Sequence, residues 1–391
     1  MAQRMALTGN DAAAYALKQI NPDVVAVYPI TPQTEMMHKF AEYVANGEVI
    51  TEFVTVESEH SALSAGGGAS LAGARTCTAT SSCGLALMWE ILYVAASCRC
   101  PIVMPLVNRA LSGPINIHCD HSDSMGARDS GWLQIFAENC QESYDNTLQA
   151  VRIAEHPAVR LPVMVCMDGF ILSHTLEALE VVEDEDARRF IGPFSRPDNL
   201  LNTDHAETFG AFALQNYYFE FKKQQQDAME AALDVVVQVG EEYGELTGRK
   251  YGLLDPYHCE DADVVLVGLG STMGTAKQAV DDLRKDEKLK CGVVGVRCFR
   301  PFPGAALCKA LADKPVVGVM DRAVSFGLGG PLYHEVRSAR YGQDGLMMNF
   351  IYGLGGRDLS LDGVKDVFRA MAKAKKTGSA EPAVRYLGVR E

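Results

Sequence analysis

The sequence predicts an α/β protein: a doubly wound, mostly parallel sheet followed by a second, smaller α/β unit. Three observations carry this. Short runs rich in Val, Ile or Phe, at 24–28, 53–56 and 102–107 among the first, alternate with longer stretches of helical periodicity. Polar clusters stand just beyond these runs, where the carboxyl ends of parallel strands would lie. A second alternating series of the same kind starts at Asp263, after a stretch of different composition.

The elements follow in order. Asn10 or Asp11 can cap a helix through Ile20, before a strand at 24–30. A helix at 33–45 presents Met36, Met37, Phe40 and Val44 on one face. Strand 52–57 leads to a small-residue helix at 59–74, where Gly66-Gly67-Gly68 permits close backbone approach. Strand 76–81, helix 84–97, strand 102–108, a long loop at 110–130, helix 143–155 and strand 163–168 complete the first series. Residues 177–206, with Glu183-Asp184-Glu185-Asp186 and then Pro193 and Pro197, break periodicity and read as a surface connection. A long helix is expected over 208–247, with Met229, Leu233, Val236 and Val237 packing on a neighbouring domain or subunit. The second series runs as strands 263–268, 291–298, 316–321 and 347–352 alternating with helices 272–285, 304–312, 331–341 and 361–374. The expected division is 1–257 and 258–391.

Composition narrows the function classes. A chain of 391 residues exceeds one ordinary core. A formal net charge of −14 argues against nucleic acid, whose phosphates demand basic patches. No apolar run reaches the roughly 18 residues of a membrane span, and the N-terminal residues lack a signal-peptide apolar region, so a cytoplasmic enzyme is expected. Eleven cysteines are present, yet none forms a C-x-x-C pair, so buried thiols rather than ligands of a metal or cluster are expected.

Three clusters carry chemistry. In Tyr28-Pro29-Ile30-Thr31-Pro32 the two prolines stiffen the turn around Thr31, which serves either as a helix N-cap or as a fixed hydroxyl facing a ligand. Glu59 is either a first-turn acid complementing the helix dipole or a desolvated carboxylate that exchanges a proton with a heterocycle nitrogen. Arg109 either pairs with a neighbouring acid or grips a substrate carboxylate with its planar fork. Their shared topological edge favours the functional alternatives, with a small carboxylate-bearing substrate beside a basic organic cofactor. His118-Cys119-Asp120-His121-Ser122-Asp123 matches no standard metal spacing and reads as a pocket-lining or lid loop, or a solvated turn. Gly268-x-Gly270-x-x-x-Gly274 departs from the dinucleotide fingerprint, and no Gly-Asp-Gly precedes an asparagine in the manner of a diphosphate–magnesium site.

These residues resemble the alpha subunit of the 2-oxoacid:ferredoxin oxidoreductases, and within them the pyruvate branch. The resemblance rests on Tyr28–Pro32, Val56-Glu57-Ser58-Glu59-His60-Ser61-Ala62, Thr78-Ala79-Thr80-Ser81-Ser82, Asn108-Arg109-Ala110, Asp120–Asp123 and Arg128-Asp129-Ser130-Gly131-Trp132. Further along it rests on Asp168-Gly169-Phe170, Gly270-Ser271, Arg297-Cys298-Phe299-Arg300-Pro301-Phe302-Pro303 and Tyr352-Gly353-Leu354-Gly355-Gly356-Arg357-Asp358. It implies a pyrimidine-type thiamine diphosphate domain followed by a transketolase C-terminal-like domain. It implies Glu59 on the cofactor pyrimidine, Ser82 and Cys83 as cofactor neighbours, and Thr31 and Arg109 on the substrate carboxylate. A beta subunit would supply the remaining contacts to thiamine diphosphate and Mg, with [4Fe-4S] clusters in partner subunits, of beta, gamma and delta type, and none here. The implied reaction is oxidative decarboxylation of pyruvate with coenzyme A to acetyl-CoA and CO2, reversibly, with ferredoxin as electron acceptor. Branched-chain 2-oxoacids, 2-oxoglutarate and aryl glyoxylates are the alternative substrates, and a free-standing nucleotide-binding module is the rival outside enzymes. One departure stands out: Cys83 occupies a position where the family commonly places Gln.

Overall fold

A computed structural model describes residues 3–390. The chain opens with strand β1 (Gln3–Thr8) and helix α1 (Gly9–Ile20). Thr8, rather than Asn10 or Asp11, is the N-cap: its hydroxyl oxygen accepts the Asp11 N–H, and the Asp11 carboxylate accepts from the Thr8 backbone. There follow β2 (Val24–Val27), α2 (Thr34–Ala45), β3 (Glu52–Thr55), α3 (Glu59–Leu71), β4 (Thr76–Cys77), α4 (Ser82–Leu87), α5 (Trp89–Ser97) and β5 (Val103–Asn108). Next come α6 (Ser122–Gly126), β6 (Leu133–Phe136), α7 (Cys140–Glu155), β7 (Val163–Asp168), β8 (Leu176–Val181), α8 (Asp184–Ile191) and α9 (Tyr218–Thr247). The second unit adds β9 (Leu254–Tyr257), β10 (Val264–Gly268), α10 (Thr272–Asp286), β11 (Cys291–Val296), β12 (Cys298–Arg300), α11 (Gly304–Ala310) and β13 (Val316–Asp321). It closes with α12 (Pro331–Ala339), β14 (Leu346–Ile351), α13 (Leu361–Thr377) and β15 (Val384–Tyr386).

Seven strands form the first sheet in the order β12-β6-β7-β5-β4-β2-β3, parallel except for β12. Six form the second, β15-β14-β13-β10-β11-β9, parallel except for β9. β1 and β8 make a separate antiparallel pair. The fully buried strands β5, β7, β10, β11 and β13 read as apolar runs because helices cover both faces.

Several expectations shift. The strand at 24–30 ends at Val27, since the prolines at 29 and 32 cannot donate to a ladder. The expected helix 84–97 is split at Met88 into α4 and α5. The surface connection holds β8 and α8, and the long helix starts at Tyr218. Its buried face, with Ala232, Val236 and Tyr243, packs into the apolar cluster that contains α1 and α7. β9 lies before residue 258 yet pairs with β11, so the second sheet starts earlier in the chain than expected. β12, in the second series, joins the first sheet through β6.

The two units are fused. One apolar cluster runs from Leu63, Leu85 and Leu92 through Leu106 and Met164 to Val265, Val294 and Val317. A buried ionic group joins them further: Asp168, at the end of β7, accepts from Arg322 Nη1 at 3.0 Å and from the Ser271 backbone at 3.1 Å, and pairs with His121 Nε2 at 2.7 Å. Burial alone would raise the Asp168 carboxyl, but Arg322, then His121 and Ser271, hold it well below the usual carboxylate range. An acid depressed in this way stabilises the fold above its unfolded-state pKa, and that stability is lost as pH falls toward its folded value. Arg322→Leu leaves the carboxylate buried without its strongest partner, an expected loss of about 3–5 kcal/mol. Calorimetry should show a markedly lower unfolding midpoint; an unchanged midpoint would mean that Asp168 and His121 suffice.

Candidate functional site

The six parallel strands of the first sheet end on one edge, and the polar clusters lie on segments leaving them. After β2, the turn around Thr31 leads into α2, whose N-cap is Gln33; Thr31 is not a cap. Its main-chain carbonyl accepts from Arg109 Nη1 at 2.9 Å, while its exposed hydroxyl has no partner among the described residues. After β5, Arg109 is 8% exposed and its Nε donates to the Asn116 carbonyl at 3.0 Å. Among the described residues no carboxylate lies within ion-pair distance of this guanidinium. Both protein contacts are to neutral carbonyls, so the charge remains available to a ligand.

After β3, Glu59 opens α3, which Ser58 caps by accepting the Ser61 N–H at 3.2 Å. Glu59 is 6% exposed, and no described group hydrogen-bonds its carboxylate. The residue is buried while its carboxylate oxygens keep some access, so an acid with no protein partner here is open to a ligand. Beside it lies Gly84, where a Cβ would stand 2.7 Å from Glu59 Oε1 and would also strike Thr80 Oγ1. Thr80 Oγ1 is itself buried without a hydrogen-bond partner. Glycine at 84 thus lets the Glu59 carboxylate and the Thr80 hydroxyl pack directly against the main chain, and neither oxygen has a protein hydrogen-bond partner among the described residues.

The turn after β4 joins these parts. Ser82, held at φ 47°, donates its hydroxyl to the Ala110 carbonyl at 2.5 Å and its N–H to Asp123 Oδ2 at 3.0 Å. Its hydroxyl is therefore committed to the protein. Cys83 is half-buried with Sγ 3.0 Å from Ser112 Oγ, and that hydrogen bond, with Ser82 and the Arg109 charge adding to it, lowers its thiol pKa despite burial. Burial raises the other shifted cysteines, Cys77 to about 12 among them.

Asp123 has no assigned role in the sequence, because three of its four donors are main-chain N–H groups that no side-chain motif reveals. It is 2% exposed and accepts from Asn108 Nδ2 at 2.8 Å, Arg109 N at 3.0 Å, Ser82 N at 3.0 Å and Ser124 N at 2.7 Å. Burial pushes its carboxyl up to about 6 against the opposing pull of these donors.

The loop at 110–130 is neither a solvated turn nor a free lid. The Asn116 amide donates to the Gly355 carbonyl at 3.0 Å and the His121 N–H to the Arg322 carbonyl at 2.8 Å, strapping the loop to the second unit. Cys119, His121 and Asp168 offer ligand atoms within 4.8 Å of one another. Arg322 Nη1, 3.6 Å from Cys119 Sγ, supplies the positive charge there, and burial holds the Cys119 thiol well above its usual range. The glycine-rich loop at 268–274 turns onto Asp168: a Cβ on Gly270 would lie 2.9 Å from Asp168 Oδ1, and the Ser271 N–H is spent on the same carboxylate.

The chain belongs to the pyruvate:ferredoxin oxidoreductase family. Residues 15–241 match the model described as pyruvate flavodoxin/ferredoxin oxidoreductase, thiamine diphosphate-binding, and residues 262–364 match pyruvate:ferredoxin oxidoreductase core domain II. The chain is 52% identical over 391 residues to pyruvate synthase subunit PorA of Thermotoga maritima, covering 100% of this chain and 99% of the relative. It is 43% identical over 383 residues to ketoisovalerate oxidoreductase subunit VorA of Pyrococcus horikoshii, covering 97% and 96%. Among solved structures, the 2-oxoglutarate:ferredoxin oxidoreductase of Magnetococcus marinus, determined with 2-oxoglutarate, coenzyme A and succinyl-CoA bound, superposes with a TM-score of 0.75 at 22% identity over 94% of this chain. This chain spans 65% of that neighbour's length, and the likeness is one of fold. A split-gene transketolase, an inactive beta4 tetramer, follows with a TM-score of 0.54 at 13% identity, over 95% of this chain and all of that one.

Proposed function

We propose that this chain is the alpha subunit of a multi-subunit pyruvate synthase, in which it supplies the pyrimidine-binding half of the active site. The carrying observation is whole-length identity of 52% to a pyruvate synthase subunit, together with the unpartnered Glu59 packed against Gly84. What supports a heterocycle here is the pair of oxygens, on Glu59 and Thr80, gathered at Gly84 without a protein hydrogen-bond partner among the described residues. When bound, thiamine diphosphate supplies a nucleophilic carbon and an electron sink for decarboxylation. Glu59 holds and exchanges a proton at a ring nitrogen of the pyrimidine. Arg109 receives the substrate carboxylate, with Thr31 held beside it by the 2.9 Å contact to its carbonyl. Cys83 and the Ser82 turn border the same space.

Partner chains of beta, gamma and delta type would complete the complex, holding Mg with the cofactor diphosphate and carrying [4Fe-4S] clusters that pass electrons to ferredoxin, while coenzyme A takes the acyl group. The exposed apolar surface supports such burial. Phe212, Tyr217 and Phe219 lie open on the segment leading into α9, and Ile115 and Ile117 lie open beside Asn116. Free cysteines throughout fit a reducing cytoplasm. Among the described residues no helix is long and apolar enough to cross a membrane.

A branched-chain 2-oxoacid is the second reading, favoured by the VorA similarity and by a small Cys83 near Arg109. Coenzyme A-dependent viologen reduction by the assembled complex separates the two. Pyruvate should exceed 2-oxoisovalerate in kcat/KM by about tenfold or more, as expected when added methylenes must be refused. The reverse preference would reassign the substrate, and no turnover with any 2-oxoacid would remove the proposal.

A further inference from the structure

We infer that Asp123 is the positioning residue that fixes the Arg109 segment and the Ser82–Gly84 turn at one separation, and so registers the substrate-binding cation against the cofactor site. This rests on the functional proposal above and deepens it. The two segments leave neighbouring strands, β5 and β4, whose pairing runs on to Thr80 and Leu106, with the Val107 N–H on the Thr80 carbonyl at 3.1 Å, and past that point the ladder no longer holds them. Asp123 Oδ2 accepts from both main chains at once, the Arg109 N–H at 3.0 Å and the Ser82 N–H at 3.0 Å. Oδ1 is steadied by Asn108 Nδ2 at 2.8 Å and the Ser124 N–H at 2.7 Å. Three further ties run between the same segments: the Ser82 hydroxyl to the Ala110 carbonyl at 2.5 Å, the Ser81 hydroxyl to the Val107 carbonyl at 2.6 Å, and Cys83 Sγ with Ser112 Oγ at 3.0 Å. Among the described residues, Asp123 alone bridges them from a third element, the short helix α6. That helix is bonded through the His121 N–H to the Arg322 carbonyl of the second unit.

An acceptor-only side chain is required. Four donors converge on two oxygens, and an amide would turn its own NH2 toward two of them. One side of the clamp carries Arg109, whose guanidinium meets the substrate. The other carries Gly84, which Glu59 overhangs. Asp123 thereby acts on the reaction through other residues while touching neither ligand.

The test uses the assembled complex carrying Asp123→Asn. The expected result is a KM for pyruvate raised about tenfold, from the loss of hydrogen bonds to a charged acceptor, with a smaller change in kcat and unchanged retention of thiamine diphosphate. Iodoacetamide labelling of Cys83, read by mass spectrometry on the subunit, should quicken severalfold while Cys77, Cys119 and Cys166 stay protected. General loosening would expose all of these thiols together. Asn108→Ala removes one donor and leaves both main-chain bonds, so it should move KM and Cys83 labelling the same way by less; it decides the matter if Asp123→Asn does not fold. Wild-type KM and wild-type Cys83 labelling in a folded variant overturn the inference. A native complex inert toward 2-oxoacids removes the functional proposal instead, and Cys83 labelling then decides the clamp alone.

Discussion

Glu59→Gln should cut turnover of the assembled complex about 100- to 10,000-fold, the range for removing a positioned acid–base group. Gln preserves shape and hydrogen-bonding length, so the packing against Gly84 is kept and thiamine diphosphate should still bind. What is lost is the proton-carrying capacity of the carboxylate. The discriminating measurement is exchange of the cofactor C2 proton in D2O, followed by NMR after acid quench. Exchange should slow with turnover. A wild-type exchange rate would show that another group carries the proton, whatever happens to kcat. Stability should move little or rise, because the substitution replaces an unpartnered buried carboxylate with a neutral amide.

Arg109→Leu should act on the substrate side. Losing a charge-assisted hydrogen bond costs about 1.5–3 kcal/mol, so kcat/KM for pyruvate should fall roughly ten- to a hundredfold. The loss should weigh most on KM, with C2 proton exchange in the absence of substrate close to normal. Leu also removes the bonds to the Thr31 and Asn116 carbonyls, at 2.9 and 3.0 Å. Arg109→Lys separates these effects: it restores charge but not the fork, and it should recover part of the affinity for a 2-oxoacid. Wild-type KM in the leucine variant would take Arg109 out of the substrate site.

The parts of the molecule legible in the sequence are those governed by strong local patterns. β5, β7, β10, β11 and β13 stand out because strands buried on both faces are uninterrupted apolar runs. Thr31, Glu59 and Arg109 draw notice because each is polar immediately after such a run. β6 went unrecognised: Leu133–Phe136 is only four residues long and includes Gln134, whose amide is spent on the Ser124 carbonyl at 2.7 Å. β1 and β8 form a covering antiparallel pair outside either parallel sheet, and neither is an uninterrupted apolar run. The division of helix 84–97 at Met88 leaves no mark, since Leu87, Met88 and Trp89 are all acceptable helix residues. Asp123, Thr80 and Gly84 are site components of another kind. Their importance lies in which backbone or side chain the tertiary fold brings to them, and periodicity carries no record of that.

The exchange of strands has a consequence for handling the protein. β12 leaves the second series to cap the outer edge of β6, pairing Cys298 with Ile135 and Arg300 with Gln134. A fragment cut near residue 257 would strip that cover and leave an open ladder beside newly bared apolar side chains, the circumstance that invites edge-to-edge aggregation. Truncation is therefore a poor route to isolating the first half, which was built to mature together with the polypeptide that follows it.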